Sequence, residues 1–181
     1  MESLGDQARW LPVVVVSVGA IPLAAAVAWW LAGLRISRGI TTAQAWRLSI
    51  AEVGMVLGTA PWLWMILTPL PGPGLVHVLP FEDLRGQFQH PPIWVTYQIV
   101  GNLLVFAAYG FLAPVRWPIR PLWVVLGAAA GSATVETLQW ALHLGRVASV
   151  DDVLVNTLGA GIATLCSRRW WARRTPHGPA T

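Results

Sequence analysis

Charge is scarce in this 181-residue chain: Asp, Glu, Lys and Arg together make up only 11% of it, and lysine is missing altogether. So little charge cannot clothe a water-facing domain of this size. Cysteine occurs once, at Cys166, which excludes an intrachain disulfide and a cysteine metal cage. There is no Gly-x-Ser-x-Gly elbow and no His-Glu-x-x-His pair, so the familiar sequence signatures of serine and zinc hydrolases are missing too.

What is present is apolar: 55% hydrophobic residues, a mean hydropathy of +0.57 and 12 tryptophans. Runs of about 20 apolar residues, the length that crosses a bilayer as helix, fall at 11–34, 44–67, 93–114 and 122–144, with a shorter fifth at 151–167. The expected fold is therefore all-α, a polytopic membrane bundle of about five transmembrane helices. The first run is preceded by Glu2, Asp6 and Arg9 and followed by arginines, the reverse of a cleavable signal, and is expected to stay as an anchor.

The arginines set the expected orientation. Arg35, Arg38, Arg47, Arg116, Arg120, Arg168, Arg169, Arg173 and Arg174 fall on one side, and Arg9, Arg85 and Arg146 on the other, which places the N-terminus outside and the C-terminus inside. The +4 net charge then serves topology and anionic headgroups, so membrane lipids are the expected partners and nucleic acid is not. Residues 1–181 read as one membrane domain, ending in a basic cytoplasmic tail at 168–181.

Between the second and third runs, Thr68 to Pro92 starts with a proline- and glycine-rich stretch that cannot continue a helix. Leu79 to Phe88 then reads as a linker helix lying along the outer interface rather than a ligand lid. Most tryptophans fall near the ends of spans and read as an aromatic belt. Gly54 with Gly58, Gly127 with Gly131 and Gly159 with Ala163 are small-xxx-small pairs that let helices approach within the chain, with a homodimer as the lesser use.

Polar residues recur at helical spacing inside the apolar runs. Ser132, Glu136, Gln139 and His143 share one stripe of the fourth helix, Gln98, Asn102 and Tyr109 mark the third, and Asp152, Asn156 and Gly159 the fifth. At 1.5 Å per residue, Asn102, Glu136 and Asn156 lie at a similar depth, roughly 10–13 Å below the outer boundary. Ionisable groups there are functional candidates by default. Arg146 and Asp152 are expected to pair across the mouth, with Glu136 beneath them, and Glu52 is expected to meet Arg47 or water. His77, Glu82, Asp83, His90, His143, Asp151 and Asp152 fall on the same side but at spacings of no metal motif, so neither a metal nor any other cofactor is assigned.

These residues also carry a resemblance. Asn102-Leu-Leu-Val-Phe-Ala-Ala-Tyr-Gly110, Glu136-x-x-Gln139, Gly145-Arg146, Asp151-Asp152 and Asn156-Thr-Leu-Gly159-Ala-Gly161 together resemble the VanZ-like membrane protein family over about residues 64–167. The chain departs from the family pattern at Ser149, where many members are acidic, and at Ala107-Ala108, where a proline is common. The resemblance implies a multi-pass bacterial inner-membrane protein and, through the family's namesake, a link to teicoplanin resistance. It maps the polar signature to Asn102, Glu136, Gln139, Arg146, Asp152 and Asn156, the set that helical geometry also selects.

The expected function is thus a non-enzymatic protein binding a lipid-linked cell-wall precursor or a lipoglycopeptide from the outer side, with Arg146 on an anionic group and the buried amides on the head. An intramembrane hydrolase or transferase would use Glu136 as acid or base, with His143 assisting and Arg146 on the transition state. A transporter is the third reading, although five spans give no paired inverted halves.

Overall fold

The computed structural model describes residues 3–172. The first rod is made of α1 (Ser3–Gly19) and α2 (Ile21–Ser37), joined through Ala20, with Pro22 in the first turn of α2, where a missing N–H costs nothing. A short turn leads into α3 (Thr42–Leu67), which continues through Pro61. The next segment holds β1 (Val76–His77) and α4 (Glu82–Gln87). There follow α5 (Pro92–Val105), α6 (Ala107–Arg116), α7 (Pro121–Ala141), β2 (Ala148–Ser149), α8 (Val150–Cys166) and the single turn α9 (Arg168–Trp171). Residues 173–181 of the expected basic tail lie outside the described residues.

Among the described residues, four stretches are long and apolar enough to cross a membrane: Leu11–Ser37, Thr42–Leu67, Pro92–Arg116 and Pro121–Ala141. The expected fifth, α8, has 17 residues and sits at the lower limit of spanning length. The side-chain distribution agrees with a lipid-facing surface. Val56, Leu122, Leu158 and Leu165 point outward, whereas Ser49, Ser132, Asn156 and Thr164 are buried. In lipid the outer face gains nothing from being polar, and helices associate through close packing and hydrogen bonds.

Small residues set that packing. A Cβ on Gly159 would stand 2.0 Å from the Leu103 carbonyl oxygen, and one on Gly110 2.2 Å from that of Ala160, so α8 lies directly on the backbone of α5 and α6. Thr164 Oγ1 adds a 2.8 Å bond to the Gly110 carbonyl. Gly54 meets Leu112 and Gly58 meets Ala108, which brings α3 onto α6, while Gly127 and Gly131 receive the Tyr109 hydroxyl and the Phe106 ring on α7. The paired small residues are therefore used within the chain.

The third span is present over Pro92–Arg116 as expected, with an irregularity inside it. It breaks at Phe106 (φ −108°, ψ 11°) between α5 and α6. Below the break α6 follows α3 closely, whereas α5 touches α3 little and runs instead along α8. This divergence opens the space in which the polar side chains gather. At the other end of the bundle Glu52 accepts from both Arg35 and Arg116, and Arg35 also reaches Ser49. Glu52 thus joins α2, α3 and α6 rather than meeting Arg47, because the arginines of neighbouring helices lie across from it.

Candidate functional site

The polar stripes converge under a cap built by two loops. Leu70 N–H donates to the Leu144 carbonyl (2.9 Å) and Ala148 N–H to that of Leu75 (2.9 Å), and β1 pairs in parallel with β2 through Val76–Ala148 and His77–Ser149. Gly145, at φ +71°, is the residue this crossing requires: a Cβ there would be 1.9 Å from the Leu70 oxygen. α7 ends at Ala141 in a Schellman arrangement, with Leu144 N–H on the Gln139 carbonyl and His143 N–H on that of Trp140. His143 takes the left-handed position (φ 52°) and is exposed. The expected stripe of α7 therefore loses its last member, since the helix stops before reaching it.

Asp151 holds α4 over the bundle. Its carboxylate accepts from Phe81 N–H (2.5 Å) and Leu84 N–H (2.9 Å), serving from a distant helix as the N-terminal cap that α4 lacks. Phe81 sits at φ 68° to make the entry. Ser149 caps α8 in turn, its hydroxyl accepting from Asp151 N–H (3.0 Å). Leu79 to Phe88 is thus a fixed roof, helical over Glu82–Gln87, rather than a free interfacial helix.

Beneath this roof lies a cavity of about 1000 Å³, and it is lined by all six residues nominated from the sequence: Asn102, Glu136, Gln139, Arg146, Asp152 and Asn156. Glu136 is nearly enclosed and accepts the Ser149 backbone N–H on Oε2 at 2.9 Å. Asp152 accepts from the Asn102 amide, joining α8 to α5. Asn156 donates to Ser132 Oγ at 2.8 Å, joining α8 to α7. Gln139 donates to the Ile66 carbonyl at 3.0 Å.

Arg146 is placed differently from expectation. It forms no ion pair with Asp152; Nη2 donates to the Met65 carbonyl (2.7 Å) and Nε to that of Thr68 (3.2 Å). At the end of α3, where carbonyls run out of helical donors, Thr68 takes those of Trp64 and Met65, and the guanidinium fork and Gln139 add bonds to Met65, Thr68 and Ile66. Burial pushes the Arg146 guanidinium down from its ordinary value, opposed by the negative charges of Glu136 and Asp152. Nη1 keeps no hydrogen bond to the described residues.

The roof supplies two lining groups that sequence reading had not joined to the site. Asp83 and Gln87 of α4 line the cavity and hydrogen-bond each other at 2.6 Å. Their spacing of four was legible as one helical face, but nothing in the sequence turned that face toward Glu136. Trp62, Trp94 and Tyr97 form apolar wall, so two tryptophans of the expected belt belong to the site. Tyr109 does not reach it and packs on Gly127. Glu136 also lines a second cavity of about 340 Å³, with His77, whose Nδ1 lies 3.5 Å from Asp83 Oδ1.

Residues 55–171, which hold the cap and every residue that lines the cavity, match the VanZ/LLP1 family. No curated protein and no solved structure matches the chain. That match covers about two thirds of the sequence and includes all six nominated residues, and by it this membrane protein belongs to the VanZ/LLP1 family.

Proposed function

We propose that this protein is a multi-pass protein of the bacterial inner membrane that binds an amphipathic cell-envelope molecule, with the polar head in the large cavity and the apolar part toward the bilayer. The observation that carries the reading is the lining itself: acidic and amide groups from four helices and the guanidinium of the connection after α7 meet aromatic wall in one space of about 1000 Å³. That is the composition of a ligand site, apolar for the most part with a few convergent polar groups. Helix glue alone would be served by neutral side chains at lower cost. On α5, Trp94, Tyr97, Val100 and Leu104 line the cavity and remain exposed, which favours entry from the lipid side.

With the arginine-rich end inside, the cap faces outward, where a lipid-linked cell-wall precursor or a lipoglycopeptide such as teicoplanin would be met. The test is growth inhibition by teicoplanin of a sensitive bacterium expressing wild type, Asn156→Leu or Gly33→Ala at matched membrane levels. Loss of protection in Asn156→Leu alone supports the reading, and equal protection by all three refutes the resistance role. A second reading, acid–base chemistry on a bound lipid, draws on Asp83, Glu136 and Asp152 lining one cavity with Arg146. Product formation from a lipid extract that Glu136→Gln abolishes would establish it.

A further inference from the structure

We infer that the cavity recognises a primary ammonium group, as carried by an ethanolamine-type phospholipid head, rather than an anion alone. The inference rests on the ligand-binding reading above and specifies its chemistry. Three carboxylates line the cavity, those of Asp83, Glu136 and Asp152, against the single guanidinium of Arg146; Asp83 already meets the Gln87 amide (2.6 Å) and faces His77 Nδ1 (3.5 Å), so it lends the site its charge rather than a free oxygen. That guanidinium already gives Nε and Nη2 to the end of α3, so little of it is left for an incoming anion.

The hydrogen-bond inventory points the same way. Asn156 is only 2% exposed, and its Oδ1 is buried without a partner; Gln87 Oε1, on the roof, is buried and unpartnered as well. Glu136 engages only Oε2 and Asp152 only Oδ1, which leaves one oxygen of each carboxylate without a donor among the described residues. The walls thus present unpaired acceptors, and a buried acceptor is costly until a donor reaches it. A phosphate or carboxylate brings acceptors only. An ammonium group brings three donors and a positive charge.

Other cationic occupants fit less well. Among the described residues no three His, Cys, Asp or Glu side chains are grouped to hold a metal ion. A quaternary ammonium would suit the ring faces of Trp62, Trp94 and Tyr97 but has no N–H for Asn156 or Gln87. In a zwitterionic head the phosphate would fall to Arg146 Nη1, so both charges find partners.

Binding of short-chain lipids to the purified protein in neutral detergent, read as the rise in unfolding temperature with lipid concentration, tests this. Phosphatidylethanolamine is expected to bind at least about ten-fold more tightly than phosphatidylcholine or phosphatidylglycerol of the same chain length, the worth of one charge-assisted hydrogen bond. Asp83→Asn, on the roof and away from the helix packing, should erase most of that preference. A primary alkylamine that matches phosphatidylethanolamine would assign recognition to the ammonium alone. Equal or tighter binding of phosphatidylglycerol, or a preference unchanged in Asp83→Asn, would overturn the inference while leaving the ligand site standing. No shift with any of these lipids would overturn the inference as well, while the protection assay with Asn156→Leu decides the ligand-binding reading separately.

Discussion

Asp151→Ala should release the roof of the cavity while leaving the bundle intact. The carboxylate makes two bonds to backbone N–H groups, at Phe81 and Leu84, and no other side chain caps α4. A hydrogen bond to a charged acceptor contributes about 1.5–3 kcal/mol, so two such bonds at a partly exposed helix end, discounted for solvent, leave about 2 kcal/mol. Phe81 loses its reason to hold φ 68°, which favours release further. Hydrogen exchange in detergent micelles reads the effect directly. Backbone amides of Phe81 to Phe88 are expected to exchange about thirty-fold faster, the ratio that 2 kcal/mol corresponds to. Amides of α7 should be unchanged. Asp151→Asn, which keeps one acceptor oxygen, should fall between. Unaltered exchange over 81–88 in the alanine variant would refute the assignment of Asp151 as the clamp.

Gly159→Ala places a methyl 2.0 Å from the Leu103 oxygen, so despite its better helix propensity it should lower stability by about 1–3 kcal/mol. Gly33→Ala meets nothing within 4 Å and should raise stability by up to about 1 kcal/mol, so thermal unfolding of the two variants must move in opposite directions. Glu52→Gln weakens the bridge between Arg35 and Arg116; the three side chains are partly exposed, and a loss of about 1–2 kcal/mol is expected in the same assay. Cys166 is exposed beside the arginine-bearing end, so a membrane-impermeant maleimide should label it only after cells are permeabilised. Labelling in intact cells would reverse the orientation proposed here.

The family match and the cavity bear differently on the nominated residues. The match spans all six of them and Asp83 and Gln87 too, but only the cavity joins those two to the site, from a segment that reads as linker. In the sequence, Asp151 and Asp152 look like one acidic pair. In the structure, Asp151 turns to the backbone of α4 and Asp152 to Asn102, a division of labour set by a 100° step along α8.

The sequence by itself determined the elements. Long apolar runs with almost no charge must be helices in lipid, the proline- and glycine-rich stretch after Thr68 marks where one stops, and polar residues at spacings of three and four must share a face. Those are local rules, and they placed Asn102, Glu136, Gln139, Asp152 and Asn156 on the faces that line one cavity. What only the tertiary structure decided is which partner each polar group takes. Arg146 went to the carbonyls ending α3 rather than to Asp152, Glu52 went to Arg35 and Arg116 rather than to Arg47, and α7 ended before His143. Each choice depends on which helix lies alongside, and that is fixed by glycine contacts such as Gly159 on Leu103 and Gly145 on Leu70, whose partners are 56 and 75 residues away in the chain.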